Sequence, residues 1–240
     1  MLFRSFIILS FLVLIFGCSS PAPINSNTEE TTTKKTLISE IDSFFAGKNL
    51  LLISDTTQIA FETKFKLNND TNESANIKHE VGSVSRVGDS LIFKTNSGSK
   101  ILVNKGTDAD DFENYKYIGK LNDINSYLVF ATFWESYAFL VINAKTGHEN
   151  YLCGYPEISP DKKYVAAAGF DLQAGFVFNG IQMYDVTPDS LKPNWSRELS
   201  KWGANNLAWL DNDNLILEKM SVDTNMQVLK SYIKIRCSGK

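Results

Sequence analysis

Histidine is scarce in this 240-residue chain: only His79 and His148 are present. They lie far apart in polar, turn-like surroundings, and neither is followed by a second metal ligand at usable spacing. Zinc chemistry therefore finds little support, and no metal or other cofactor is expected. A Gly-x-Ser-x-Gly elbow, which would mark a serine nucleophile, is missing. A basic excess is lacking as well. Lys and Arg total 24 against 27 Asp and Glu, a net charge of −3, which argues against a nucleic-acid partner. No apolar run approaches the ~20 residues that a membrane-spanning helix needs. Of the 3 cysteines, Cys153 and Cys237 each close a strand-like run. They either pair, which requires Cα atoms within ~7 Å, or stand apart as small apolar side chains. The acidic run from Asp108 to Glu113 lacks the calcium-loop pattern with its glycine, so it reads as a solvated loop. Asp211-Asn-Asp213-Asn214 reads as a turn between strands.

What is present begins at the first residues. Arg4 precedes an apolar run from Phe6 to Phe16 broken only by Ser10, which ends in Gly17-Cys18-Ser19. About eleven apolar residues suit the core of a secretory signal. The run resembles a bacterial lipoprotein signal with its lipobox, although bulky Phe16 stands where Ala or Ser is commoner. The resemblance implies cleavage between Gly17 and Cys18 and a diacylglycerol on the Cys18 thiol. It further implies anchorage in the membrane by two or three acyl chains, each buried CH₂ contributing ~0.8 kcal/mol. Ser19 in place of Asp after the cysteine resembles lipoproteins sorted to the outer membrane. Ordinary secretion and an uncleaved anchor are the alternatives.

Residues 1–17 thus form the leader. Residues 18–35 are Ser, Thr, Asn, Pro and Glu with little to bury, a tether reaching on the order of 20–25 Å. Residues 36–240 form one domain. Leu37, Ile38, Ile41, Phe44 and Phe45 recur at helical spacing, with Thr36 as cap and Gly47 as stop, predicting one short helix. Strands are predicted at Leu50–Ile53, Ile59–Leu67, Ser90–Thr95, Lys100–Val103 and Tyr115–Ile118, with a loop over Asn68–Glu73. Asn96-Ser-Gly-Ser99 reads as a hairpin turn.

The second half repeats weakly. Tyr127–Phe133 with Tyr137–Asn143, Tyr164–Ala168 with Gly180–Val186, and Asn214–Glu218 with Gln227–Ile235 recur at approximately 40–50 residues, the period of propeller blades. Ser159-Pro160-Asp161-Lys162-Lys163 resembles the Ser-Pro-Asp-Gly-Lys turn of bacterial WD-like and Tol-associated β-propellers. Pro160 presets φ, the Asp161 carboxylate can accept backbone N–H bonds, and Lys162 stands where glycine is usual. The expected fold is all-β: a small or incomplete propeller of about four to five blades with one short N-terminal helix, or else a β-sandwich.

The long connection Phe170–Gly180, with Phe170, Phe176 and Phe178, is the segment most open to a binding reading. Phe133, Trp134 and Tyr137 at a neighbouring hairpin can join the same aromatic patch; alternatively, Phe176 and Phe178 fold back onto the core. Trp195, Trp202 and Trp209 are expected to pack between blades. The reading is of a non-enzymatic, lipid-anchored module that binds an envelope protein or a glycan at the outer membrane. The alternative is an envelope hydrolase using carboxylates in a central channel. Full-length chain should incorporate labelled fatty acid in a Gram-negative host, and Cys18→Ala should incorporate none.

Overall fold

Short β-rich runs separated by polar turns fold here as successive antiparallel meanders. The computed structural model describes residues 42–46, 49–66, 72–106 and 110–237, all within one unit, Ile38–Lys240. The leader, Cys18 and the tether lie outside the described residues. The chain opens with β1 (Asp42–Ala46), β2 (Asn49–Asp55), α1 (Gln58–Lys64) and α2 (Glu73–His79). The first sheet is β3 (Val84–Val87), β4 (Ser90–Thr95) and β5 (Gly98–Val103). The second is β6 (Glu113–Leu121), β7 (Ser126–Phe133), β8 (Ser136–Asn143) and β9 (Glu149–Leu152). The third is β10 (Glu157–Ile158), β11 (Tyr164–Gly169), β12 (Gly180–Val186) and β13 (Leu191–Glu198). The fourth takes β14 (Gly203–Trp209), β15 (Asn214–Val222) and β16 (Val228–Arg236), and is completed by β2 and β1 in the order β14-β15-β16-β2-β1. One sheet curls into a half-barrel, and the all-β class holds. Among the described residues no helix is long and apolar enough to cross a membrane.

Side-chain alternation explains how the sheets face one another. In the second sheet Tyr117, Val129, Ala131, Leu140 and Ile142 pack with Val84, Leu91, Phe93 and Leu102 of the first. The opposite face carries Leu128, Val141 and Leu152, which meet Val165, Ala167 and Tyr184 of the third. The third sheet then turns Ala166, Ala168, Ile181 and Met183 toward Leu207, Leu215, Leu217, Ile233 and Ile235 of the fourth. Strands buried on both faces read as continuous apolar runs, which is why Tyr127–Phe133 and Tyr164–Ala168 show no clean alternation. Trp195 and Trp209 lie between the third and fourth sheets, with half-buried Trp202 against the same cluster.

Three sequence expectations are corrected. The helix over residues 36–46 gives way at Asp42–Ala46 to a strand in register with β2, Asp42 opposite Ile53 and Ala46 opposite Asn49; its first part lies outside the described residues. Pairing across the sheet outweighs local helical spacing there. The strand expected at Ile59–Leu67 is instead α1 over Gln58–Lys64. The Thr57 hydroxyl caps it by accepting from the Ala60 N–H at 3.2 Å. Phe61 and Phe65, four apart, stack at 5.0 Å, and Phe61 packs on Ala208 and Ile216. The expected loop over Asn68–Glu73 ends earlier, because Asn72 caps α2, whose first residue is Glu73. Glu73 grips the Arg86 guanidinium at 2.7 and 3.2 Å and accepts the Tyr117 N–H at 2.8 Å, tying α2 to the first two sheets.

The Ser-Pro-Asp turn forms between β10 and β11. The Ser159 hydroxyl donates to the Asp161 carboxylate at 2.8 Å and accepts the Tyr164 N–H at 2.9 Å. Lys162 adopts φ 61°, the left-handed region that explains the usual glycine, at a cost of ~1–2 kcal/mol for a residue with a Cβ. Urea unfolding should therefore rank Lys162→Gly as the most stable form, the native chain next, and Lys162→Val at least about 1 kcal/mol below native. An unchanged Lys162→Val midpoint would contradict this assignment of strain.

Candidate functional site

The face of the second sheet that packs on the third does not end where the third sheet ends. Beyond Leu128 and Val141 the same face continues in two cross-strand rows, Lys116–Phe130–Phe139 and Asn114–Thr132–Tyr137. These two rows form one wall of a cavity of about 570 Å³, within the ~300–1,000 Å³ usual for small-molecule sites. The other walls come from Phe65 and Lys66 after α1, from Gly154 and Tyr155 between β9 and β10, from Ala168 of β11, and from Asn205 and Asn206 of β14. Gly154 must lack a side chain, because a Cβ there would fall 1.9 Å from the Ala168 carbonyl oxygen.

Aromatic rings run unbroken along the wall. Tyr137 lies 5.7 Å from Phe130, Phe130 5.1 Å from Phe139, and Phe139 5.6 Å edge-on to Tyr155. Each ring supports the next in the tilted or edge-to-face geometry that aromatic quadrupoles favour.

The facing polar wall is built by a bulge. The register between β14 and β15 slips between Ala204 and Leu207, so Asn205 and Asn206 are displaced from the ladder, the usual means by which a strand re-aims side chains. Glu218 of β15 holds both, accepting from Asn205 Nδ2 at 3.0 Å and Asn206 Nδ2 at 2.7 Å. Lys230 Nζ closes the network on the other Glu218 oxygen at 2.9 Å. Burial pulls the Glu218 carboxyl upward, but Lys230 and the two asparagines outweigh it and leave it below its ordinary 4.5.

Beside the cavity lies a recess of about 20 Å³ that shares Phe65, Tyr155, Ala168, Asn205 and Asn206 with it and adds Glu157 and Leu207. The Glu157 backbone is fixed by Trp209, whose indole Nε1 donates to its carbonyl at 2.9 Å. Burial pushes the Glu157 carboxyl up to about 7.

Of the six residues expected in an aromatic patch, Tyr137 lines this cavity. Phe133 is half-buried edge-on to Tyr115 at 6.4 Å, and Phe178 packs into the core between the second and third sheets. Phe170 occupies the space that the absent Gly203 side chain leaves open. Trp134 and Phe176 are exposed, at 46% and 54%. The connection holding Phe176 is ordered by Asp171, whose carboxylate accepts the N–H groups of Ala174, Gly175, Phe176 and Val177 at 2.7–3.0 Å. Those bonds, Val177 foremost, lower its carboxyl to about 2.

Cys153 and Cys237 are both free thiols. Burial pushes each up to about 12, so neither is a thiolate nucleophile at neutral pH. His79 and His148 are exposed, and among the described residues no cluster of three or more metal-ligating side chains occurs. No family model, curated protein or solved structure matches the chain.

Glu218 supplies a test of the polar wall. Its side chain is 8% exposed, and Glu218→Gln should lower unfolding stability by roughly 2 kcal/mol near pH 7, as for a hydrogen-bonded charge. Because the folded carboxyl titrates below its ordinary value, its contribution is full above about pH 4.5 and is lost as the pH falls further. Chemical denaturation of both forms should show the gap shrinking below pH 4.5.

Proposed function

We propose that this chain is a bacterial envelope lipoprotein, held at the outer membrane by acyl chains on Cys18, whose β-domain binds a glycan in the cavity without transforming it. The observation that carries this reading is the pairing of a continuous aromatic wall with amide and hydroxyl side chains across one 570 Å³ space. Aromatic faces suit the apolar C–H faces of sugar rings, as their quadrupoles are negative there. Asparagine offers both donor and acceptor to vicinal hydroxyls. Drug-sized ligands in such pockets bury most of their surface against apolar side chains and are oriented by a few polar groups.

Binding is favoured over hydrolysis by the acid count at the site. Glycoside hydrolysis uses two carboxyl groups ~5–9.5 Å apart across the scissile bond. Among the described residues the cavity and its recess present one, Glu157. Glu218 lies behind the amides, already engaged by Lys230 and both asparagines.

The finer architecture proposed is a four-bladed propeller. Four meanders follow one another in chain order, the blade-type turn lies between β10 and β11, and the last sheet is completed by strands from the chain's beginning. Such closure joins the first and last of the described strands in one blade and leaves short, protected edges.

Calorimetric titration of the full chain with oligosaccharide fragments of the bacterial envelope should reveal a ligand. Tyr137→Ala should weaken its binding at least about tenfold, the equivalent of 1.4 kcal/mol. Loss of binding in Phe176→Ala with Trp134→Ala, but not in Tyr137→Ala, would move the site to the exposed aromatics and overturn the cavity reading.

A further inference from the structure

The recess that shares five lining residues with the cavity is sized for one small group. Its volume of about 20 Å³ just exceeds the ~10–15 Å³ that a single water requires, and an ammonium group is of similar size. Its polar groups come from Glu157, Asn205, Asn206 and the Tyr155 phenol, and the first three offer oxygen acceptors. Asn205 and Asn206 each give one Nδ2–H to Glu218, which fixes how each amide is turned and leaves its carbonyl oxygen without a donor among the described residues. Glu157 contributes a carboxylate whose side chain has no ion pair or hydrogen bond among the described residues. Two amide oxygens and a carboxylate match the three donors of a primary ammonium, which has no acceptor of its own.

We infer that this recess is an ammonium subsite and that the glycan is an amino sugar with its nitrogen free, held by Glu157, Asn205 and Asn206. This rests on the cavity being the glycan site and adds which glycan enters it. The distribution of the other charges agrees. Lys66 and Lys116 line the wider chamber but not the recess, so a cationic group is disfavoured beside them and favoured at Glu157. Tyr155 borders the recess, and Glu218 behind the amides is matched by Lys230. Glu157 is half-buried, and a partly desolvated carboxylate is stabilised by a ligand cation beside it.

A pH signature follows. The free carboxyl titrates near 7 because burial disfavours its charge, and an adjacent ammonium lowers that value. Below pH 7, binding must therefore displace a proton from Glu157, so affinity falls as the pH is lowered, approaching tenfold per unit once the free carboxyl is mostly protonated.

The test is calorimetric titration of the full chain in detergent with a glucosamine trimer and with its fully N-acetylated counterpart, at pH 6.5 and pH 5.5, where the sugar amines are largely protonated. The expected result is at least tenfold tighter binding of the free amine at pH 6.5, proton release and weaker binding at pH 5.5, and loss of the preference in Glu157→Gln. Equal affinity for the two trimers would overturn the ammonium subsite while leaving the glycan reading intact. If neither trimer binds but phenethylamine does, in a Glu157-dependent way, the ammonium subsite stands and the glycan reading falls. No binding by any of the three overturns both. The comparison of trimers on the native chain needs no substitution to fold.

Discussion

The fold depends on the pairing of β2 with β16. Four residue pairs, from Ile233 with Asp55 to Arg236 with Leu52, join strands from opposite ends of the described chain. They place Leu51 and Ile53 beside Ile233 and Ile235 in the core shared with the third sheet. Closing so long a stretch of flexible chain carries an entropic cost of roughly 5 kcal/mol. A fold dominated by such non-local contacts is expected to assemble slowly compared with helical proteins of its size. The other three sheets are local meanders and depend on this closure for a shared, finished core.

Polar chemistry is concentrated where the apolar architecture is interrupted. β14 and β15 would form an uninterrupted ladder but for the bulge at Asn205 and Asn206, and that bulge exists beside Glu218, a buried carboxylate of the fourth sheet. A buried ionic group is a poor source of net stability compared with a packed apolar residue. Its benefit lies in fixing direction: each of two amides gives one N–H to the same Glu218 oxygen, which sets where its carbonyl oxygen lies. Glu157 occupies the complementary position, a carboxylate placed by the Trp209 indole bond but given no partner of its own.

Much of the β-structure was legible from local pattern. Ser90–Thr95, Tyr127–Phe133, Tyr137–Asn143 and Gly180–Val186 lie within β4, β7, β8 and β12, because each combines β-branched or aromatic residues with a neighbouring turn. β13 was hidden by Pro193 and its charged residues, which an edge strand tolerates. α1 was hidden because Ile59, Phe61 and Phe65 suit either a strand or a helix, and the deciding Thr57 cap is a single side chain. The cavity was less visible still. Asn114 and Lys116 alternate with Tyr115 and Tyr117, a pattern that normally marks a solvent face; only the tertiary arrangement brings that face opposite Asn205 and Asn206. The chemistry of Glu157 could not be read from sequence at all, since its burial is a property of the surrounding sheets.

β1 has a mechanical consequence. It is the edge of the fourth sheet, bonded to β2 alone in the ladder, and it is the first of the described strands. Tension applied from that side loads Asp42–Ile53 first and then peels the remaining pairs in turn. The β2–β16 pairing, one strand further in, is loaded only after β1 has come away. The edge strand can thus act as a sacrificial zip, yielding a few residues of slack at the loss of Ala46 from the core, while the cavity, which no β1 residue lines, stays assembled.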